Sequence, residues 1–226
     1  MIEDKVVYKF KVPGKNEVSF VVDLVDGEAE KASPSTWTHL RYNQCSNCPL
    51  NSETHRFCPL ALRIKDVIEF SADIVSYKKV IVEVLLNDRS VTAETSAQEG
   101  LSSLLGLVIA VSGCPRTAFL KPMAYFHVPL ATYDETVFRV ITSEITRSFL
   151  KHRKGESVDW SLQGLQESYE HLHVVNTHIA KRLHALVKED ASLNAIVDLD
   201  AFTTHVPAVI EEFLDRLQEL YDNGPM

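Results

Sequence analysis

"KVIVEVLLNDRSVTAETSAQEGLSSLLGLVIAVSGCP", residues 79–115, contains the signals for two strands, a helix and the end of that helix. The apolar, β-branched run KVIVEVLL, the turn residues NDRS and the extended run VTAET together predict a β-hairpin. Ser96 and Glu99 have the spacing of a capping box, which predicts that a helix begins after Ser96. Gly113 suits the left-handed residue that ends a helix, and Pro115 prevents the helix from continuing.

The segment before this stretch predicts a similar set of elements. KVVYKFKV alternates in polarity, PGKNE supplies a turn and VSFVVDL follows, so we expect a first hairpin. WTHLRY, residues 37–42, is interpreted as a third extended stretch that leads into the cysteines. LALRIKDVIEF predicts a helix with Pro59 in its first turn. Because such elements bury one face each, we predict an α+β fold with a four-stranded antiparallel sheet and two helices on one face.

From about Thr132 the pattern predicts helices only, an all-helical C-terminal region. Thr132 and Glu135 repeat the capping-box spacing and open a helix that is expected to end near residue 150. A longer helix is predicted over about 160–187, and a last one over about 206–221. The predicted inward stripe of the first of these helices consists of Val137, Ile141, Ile145 and Phe149. We therefore divide the chain into an α+β domain, 1–131, and an acidic helical domain, 132–226.

Apolar residues of the longest predicted helix recur at alternating steps of three and four, which is a heptad pattern. The pattern consists of Leu162, Leu165, Tyr169, Leu172, Asn176, Ile179, Leu183 and Leu186. It has two interpretations: the stripe packs against other helices of the same chain, or it forms the interface of a dimer. The C-terminal helices are therefore candidates for contact with a protein partner or for self-association.

The charge of the chain limits its partners. Of the formal net charge of −8, residues 1–131 contribute −1, from 14 Lys and Arg against 15 Asp and Glu. Residues 132–226 contribute −7, from 9 Lys and Arg against 16 Asp and Glu. An acidic C-terminal half argues against general nucleic-acid binding, which needs clustered cations.

The apolar runs give no sign of a membrane protein. The longest, Leu104 to Val111, is too short to cross a bilayer. The start of the chain, MIEDKVVYKF, lacks the apolar core of a secretory signal. We therefore expect a cytoplasmic protein without membrane association.

Four cysteines lie in the first half of the chain: Cys45, Cys48, Cys58 and Cys114. Structural disulfides are not expected in a reducing cytoplasm. The thiols are metal or cluster ligands, redox thiols, or small buried apolar groups. The CxxC spacing of the first pair favours metal binding, because a turn directs two thiolates to one ion. If the two N-terminal helices are antiparallel, the start of one meets the end of the other, and Cys58 approaches Cys114.

The spacing leaves the metal open between Zn²⁺ and a [4Fe–4S] cluster. Zinc is common in four-cysteine sites, but usually with two CxxC pairs. Cys-Pro, present three times here, is a feature of bacterial ferredoxin motifs. Residues expected to support the ligands without binding the metal are His55, His127, His39 and Arg116.

No residue is assigned a catalytic role. The chain contains no GxxxxGK[ST] loop, no GxSxG elbow and no HExxH helix. We expect a metal-binding protein in which the site is structural or regulatory and which is not an enzyme. The alternatives are an iron–sulfur redox enzyme or electron carrier, and a helical protein-interaction module with incidental buried thiols.

Four strings carry a resemblance to a known family: QCSNCPL, FCPLAL, ETSAQEGLSSLLGLVIAVSGCP and LKPMAYFHVPLATYDETVFR. Together they resemble a bacterial protein family that is defined by a domain of unknown function. The resemblance spans about residues 37–140, and the linked cysteine motifs are its most specific part. It implies a bacterial cytosolic protein and no established activity.

Overall fold

A computed structural model describes residues 5–25, 35–158, 160–184 and 186–223. The strands are β1 (Lys5–Lys11), β2 (Val18–Asp23), β3 (Lys79–Leu85) and β4 (Ser90–Ser96). The helices are α1 (Pro59–Ser71), α2 (Ala97–Ala110), α3 (Lys121–Tyr125), α4 (Tyr133–Arg153), α5 (Gln163–Leu183) and α6 (Ala191–Asn223). Two short 3-10 helices span Thr36–Thr38 and Ala118–Leu120. None of the described helices has the length and apolar character needed to cross a bilayer.

The four strands form one antiparallel sheet in the order β2-β1-β3-β4, which confirms the predicted architecture. The central strands β1 and β3 pair in the register that sets Tyr8 opposite Val84 and Phe10 opposite Val82. All four of these side chains are buried. The alternation read from KVVYKFKV therefore marks the face of the sheet that the helices cover.

Helices α1 and α2 lie antiparallel on that face. The end of α1 and the start of α2 meet at Phe10: the Phe70 ring is 5.8 Å from the Phe10 ring, and Gly100 also packs against Phe10. At the other end, a Cβ atom added at Gly113 would lie 3.8 Å from Cβ of Pro59. The antiparallel arrangement predicted from the cysteine argument is therefore correct.

The C-terminal helices pack on one another and on α2. The buried stripe of α5 faces α6, and Nδ2 of Asn176 donates a hydrogen bond to Oγ1 of Thr203 at 3.1 Å. This contact gives the polar residue of the heptad pattern a partner within the chain. α6 in turn packs along α2, and one continuous hydrophobic core joins the sheet to the C-terminal helices. The division of the chain at residues 131 and 132 stays a prediction.

Two predicted elements differ from the structure in the N-terminal half. WTHLRY is not a strand: its first residues belong to the 3-10 helix Thr36–Thr38, and only an isolated bridge joins His39 to Phe57. The sequence pattern predicts no helix or strand in the 16 residues after Pro115, yet they contain the second 3-10 helix and α3. Both elements are too short to show a helical repeat in sequence, so periodicity does not find them.

The predicted C-terminal helices differ in extent. α5 ends at Leu183 rather than near 187, and residue 185 of the predicted range lies outside the described residues. α6 begins 15 residues before the predicted start, and Pro207 lies within the helix. Only the first half of the α4 stripe is buried, since Ile145 and Phe149 remain 41% and 51% exposed.

We expect Gly100→Ala to destabilise the protein although alanine favours helices. A Cβ atom at Gly100 would lie 2.8 Å from Cγ2 of Val82 and 3.0 Å from Cε1 of Phe10, both buried. Overpacking of this kind costs about 1–3 kcal/mol, against a helix-propensity gain of about 1 kcal/mol. Urea unfolding should show a net loss. Gly106→Ala in the same helix, where the added atom meets only Leu199 at 3.6 Å, is the control and should be neutral or stabilising.

Candidate metal centre

The first two cysteines occupy a short turn. The Cys48 amide donates a hydrogen bond to the Cys45 carbonyl at 3.0 Å, which closes the CxxC segment. The Gln44 side chain donates to the Leu50 carbonyl at 3.0 Å and ties the two ends of the turn together. Asn43, which precedes the turn, has a positive φ of 46°, a conformation that asparagine tolerates. These hydrogen bonds therefore hold Cys45 and Cys48 close together in a turn, as the CxxC spacing predicted.

Cys58 is the N-cap residue of α1, and Pro59 begins the helix. Its amide donates to the Thr38 carbonyl at 2.8 Å, so the 3-10 helix fixes its position. The side chain is buried. The backbone N–H groups of Ala61 and Leu60 favour the thiolate and oppose the rise in pKa that burial causes. The start of a helix is a favourable environment for a thiolate.

Cys114 follows the residue that ends α2. Gly113 has a φ of +79°, the left-handed conformation predicted for it. The buried Thr117 side chain donates a hydrogen bond to the Ile109 carbonyl at 2.9 Å, and its amide donates to the Cys114 carbonyl at 3.1 Å. These bonds fold the chain back on the end of α2, so the Cys114 thiol has a defined position.

Two contacts join these three segments. The Arg116 side chain donates a hydrogen bond from Nε to the Asn47 carbonyl at 2.8 Å, which links the Cys114 loop to the CxxC turn. Gly113 packs against Pro59, which links it to the start of α1. The thiols of Cys58, Cys114 and Cys48 each act electrostatically on the Cys45 thiol. The fourth cysteine is therefore a neighbour of the other three.

The side chains do not stand at the distances that metal ligation requires. Within residues 5–25, 35–158, 160–184 and 186–223, no three or more His, Cys, Asp or Glu side chains form a group able to hold a metal ion. All four cysteines are free thiols. Four thiols are the ligands of many zinc and iron–sulfur sites, and here they come from three chain segments that hydrogen bonds and packing hold together. Ligation requires the thiols to lose their protons and to turn toward a common centre.

Burial favours the protonated form of the Cys45, Cys58 and Cys114 thiols. It raises the pKa of Cys45 from 9.0 to about 12 and that of Cys114 to about 11. It also raises the pKa of Cys58. Neighbouring thiols add to the rise, because a second thiolate close by repels the first. Only a nearby cation can therefore ionise the group near neutral pH.

Arg182 of α5 brings a positive charge to this region, at a position that the cysteine motifs do not indicate. Its charge lowers the pKa of Cys45 and Cys58 but only partly offsets the rise that burial causes. The side chain is only 1% exposed. A signal was present in the sequence, since Arg182 lies three residues after Ile179 and hence on the buried stripe of the helix.

The Arg182 guanidinium also holds the segment before the cysteines. It donates hydrogen bonds to the carbonyls of Trp37 at 2.6 Å, His39 at 2.8 Å and Leu40 at 3.1 Å. Its Nε is buried and has no acceptor among the described residues. A single α5 side chain thus donates to three carbonyls of this segment, and the His39 carbonyl also accepts from the Tyr42 amide at 3.1 Å.

The residues expected to support the ligands are found in different places. Arg116 bonds to the CxxC turn, and His39 takes part through its backbone carbonyl. His55 is exposed and bonds to Thr54 at 2.9 Å. The His127 ring bonds to the Tyr8 hydroxyl on β1 at 2.6 Å.

The histidines of α5 contact the cysteine turn, which the sequence analysis did not foresee. The Asn47 side chain donates to the His171 carbonyl at 3.0 Å, and the His178 ring lies 3.3 Å from the Asn43 carbonyl. These two histidines are seven residues apart on α5 and lie beside the loop that carries Cys45 and Cys48.

The fold defines a class of protein: an α+β chain in which two helices cover one face of a four-stranded sheet and an all-helical C-terminal region packs on them, with four free thiols in the segments around α1 and α2. The chain belongs to the family described as a domain of unknown function, DUF6901, which matches residues 6–222. The match extends well beyond the predicted span of 37–140 and includes the C-terminal helices. No curated protein and no solved structure matches the chain.

Arg182→Met should strongly destabilise the protein. It leaves the buried carbonyls of Trp37 and Leu40 without donors, whereas the His39 carbonyl keeps a hydrogen bond from the Tyr42 amide at 3.1 Å. Each buried group left unsatisfied costs about 1–3 kcal/mol, so we expect urea unfolding to show a loss of at least about 2 kcal/mol. Lys181→Met removes a neighbouring but exposed charge and should change the stability by less than about 0.5 kcal/mol. Equal losses in the two variants would show that the carbonyl contacts contribute little.

Metal-free protein should lose stability as the pH rises above 9. An unfolded thiol ionises near 9.0, whereas the folded thiols of Cys45 and Cys114 hold their protons to about 12 and about 11. In this window the unfolded state releases protons that the folded state keeps, so rising pH favours unfolding. The test is urea unfolding at pH 8 and pH 10 in EDTA and reductant.

The control for the pH experiment is the variant Cys45→Ala/Cys114→Ala. Burial also raises the pKa of Tyr8 and Tyr169, which contribute in the same direction but are present in both proteins. The variant should therefore lose less stability between the two pH values than the unaltered protein does. An identical loss would contradict the burial of the thiols.

Proposed function

We propose that the protein binds a metal through Cys45, Cys48, Cys58 and Cys114, with either one Zn²⁺ or one [4Fe–4S] cluster at the site. The observation that carries the proposal is the convergence of four thiols from three chain segments that hydrogen bonds and packing tie together. A packing role alone does not require thiols at these positions, since any small apolar side chain would fill the same space.

Charge supports a cation at the centre of the thiols. Four thiolates around Zn²⁺, or around a cluster core of charge 2+, carry a formal charge of −2, and the Arg182 guanidinium offsets part of it. Backbone N–H groups at Cys58 and Cys114 favour the ionised sulfurs. Such hydrogen bonds orient ligands and tune the metal in both kinds of site. The net charge is the same for both occupants, so charge does not choose between them.

The role that the surroundings favour is structural or regulatory. The cysteines belong to the CxxC turn, the start of α1 and the end of α2, and a bound metal would connect these three segments. The CxxC turn itself has little regular secondary structure. Metal binding would add to the stability of the fold, because the unfolded chain has no preformed site. Binding would also release thiol protons, so the affinity for metal would rise with pH.

The proposal also includes the cell compartment in which the protein acts and the partners that it contacts. We infer a bacterial cytoplasmic protein, in which a reducing environment keeps the thiols available as ligands. The acidic C-terminal region and the exposed apolar residues Ile145, Phe149 and Leu150 of α4 support contact with a protein partner or a second copy. The excess of acidic charge disfavours nucleic acid.

Anaerobic purification followed by metal analysis and absorption spectroscopy tests the proposal. A structural zinc site predicts colourless protein with about one zinc per chain. A cluster predicts brown protein that contains iron and sulfide and absorbs near ~400 nm, which would favour an electron carrier or redox enzyme. Cys45→Ser/Cys48→Ser should abolish metal content and lower the melting temperature, because two of the four ligands are lost.

The matched control is Ser46→Ala, which alters an exposed residue of the same turn and should retain the metal. The proposal would be contradicted if the wild-type protein is fully folded without metal and the Cys45→Ser/Cys48→Ser variant is equally stable. In that case the thiols are packing groups, and a helical interaction module is the function that remains.

A further inference from the structure

A cavity of about 550 Å³ lies beside α2, away from any role in the proposed metal site. Its walls come from α2, the segment 120–132, and helices α4, α5 and α6. Most of the lining is apolar, and the rings of Tyr133, Tyr169 and Phe202 meet edge to face within it. A cavity of this size that is apolar with a few polar groups is typical of small-molecule sites.

One wall carries a chain of hydrogen bonds. The Leu130 amide donates to Oγ of Ser103 at 2.9 Å, and Ser103 is 2.7 Å from the Tyr8 hydroxyl. That hydroxyl is 2.6 Å from Nε2 of His127. Burial and the nearby Arg139 cation lower the pKa of His127 to about 3, so the ring is neutral. The wall is thus polar, ordered and uncharged.

Arg139 of α4 brings a positive charge to the cavity. Its Nη2 donates a hydrogen bond to the Met123 carbonyl at 2.5 Å, which anchors the guanidinium. No carboxylate of the described residues lies within ion-pairing distance of it. Arg139 is half-buried, and this desolvation lowers its pKa, while the charge of Glu135, one turn earlier on α4, opposes the shift from beyond ion-pairing distance. Since charges withdrawn from water are normally paired, this position favours an anionic ligand in the cavity.

The acidic residues of the lining are already engaged. Glu99 accepts hydrogen bonds from Thr95 and Ser96 at the start of α2. Asp198 accepts a hydrogen bond from the Gln98 side chain. Both carboxylates repel any anion, and they repel a dianion about twice as strongly as a monoanion. The cavity therefore suits a ligand with a single negative charge better than one with two.

We propose that this cavity binds a small organic monoanion, a carboxylate attached to an apolar body. The planar guanidinium of Arg139 matches a carboxylate through two parallel hydrogen bonds. The apolar body lies against side chains such as Leu107, Leu172 and Phe202. A phosphate dianion is disfavoured because one cation with two nearby carboxylates does not balance it. This inference does not depend on the proposed metal site.

The test is calorimetric titration with decanoate and with 4-phenylbutyrate, together with their neutral counterparts decan-1-ol and 4-phenylbutan-1-ol. We expect one saturable site for at least one acid and weaker binding of its alcohol. Arg139→Met should weaken binding of that acid at least 10-fold and leave binding of the alcohol within about 2-fold, because only the acid pairs with the charge. Arg147→Met on the same helix, which removes an exposed cation paired with Glu144, should leave both affinities unchanged.

A second variant keeps the test decisive if Arg139→Met does not fold. Gly106 lines the cavity, and a Cβ atom there meets only Leu199 at 3.6 Å, so Gly106→Leu should extend into the cavity and abolish binding. Gly106→Ala should retain it. The proposal is overturned if neither acid binds to folded wild-type protein, if the alcohol binds as well as the acid, or if Gly106→Leu leaves binding intact.

Discussion

The close approach of α2 to the sheet at Gly100 is the constraint on which the rest of the structure depends. Only a residue without a side chain allows the helix to lie directly against Val82 and Phe10. That contact fixes the start of α2, and the straight helix then fixes its end at the cysteine cluster, where Gly113 meets Pro59. Its remaining sides contact α6 and line the cavity. A single packed helix therefore positions both candidate sites.

Two arginines differ in a way that separates the two sites. Arg182 is buried and donates to three backbone carbonyls, and its charge interacts with the thiols of Cys58, Cys45 and Cys48. Arg139 has a carbonyl anchor but no carboxylate partner among the described residues. Arginine keeps its proton under burial, so each position must balance a fixed positive charge. At Arg182 the balance would come from thiolates that form when metal binds, and at Arg139 from a ligand with its own charge.

In both proposed sites, burial disfavours a charged group until a partner of opposite charge binds. Desolvation keeps the thiols of Cys45 and Cys114 neutral, and in the proposed site a metal ion would replace their protons. The His127 ring stays neutral for the same reason, which leaves Arg139 as the charged group of its wall. Low solvation thus disfavours charge without a partner and strengthens the attraction once a partner arrives.

The sequence by itself determined the elements whose signals are local. The alternation of β1, the capping boxes at Ser96 and Thr132 and the helix stop at Gly113 all act over a few residues, and all are present as predicted. Long-range contacts follow no such pattern. The contact of Arg182 with residues about 145 positions away, the bond from Arg116 to Asn47 and the cavity around Arg139 depend on how helices pack. Tertiary structure alone decided these, because a side chain's periodicity specifies which face is buried but not what lies opposite.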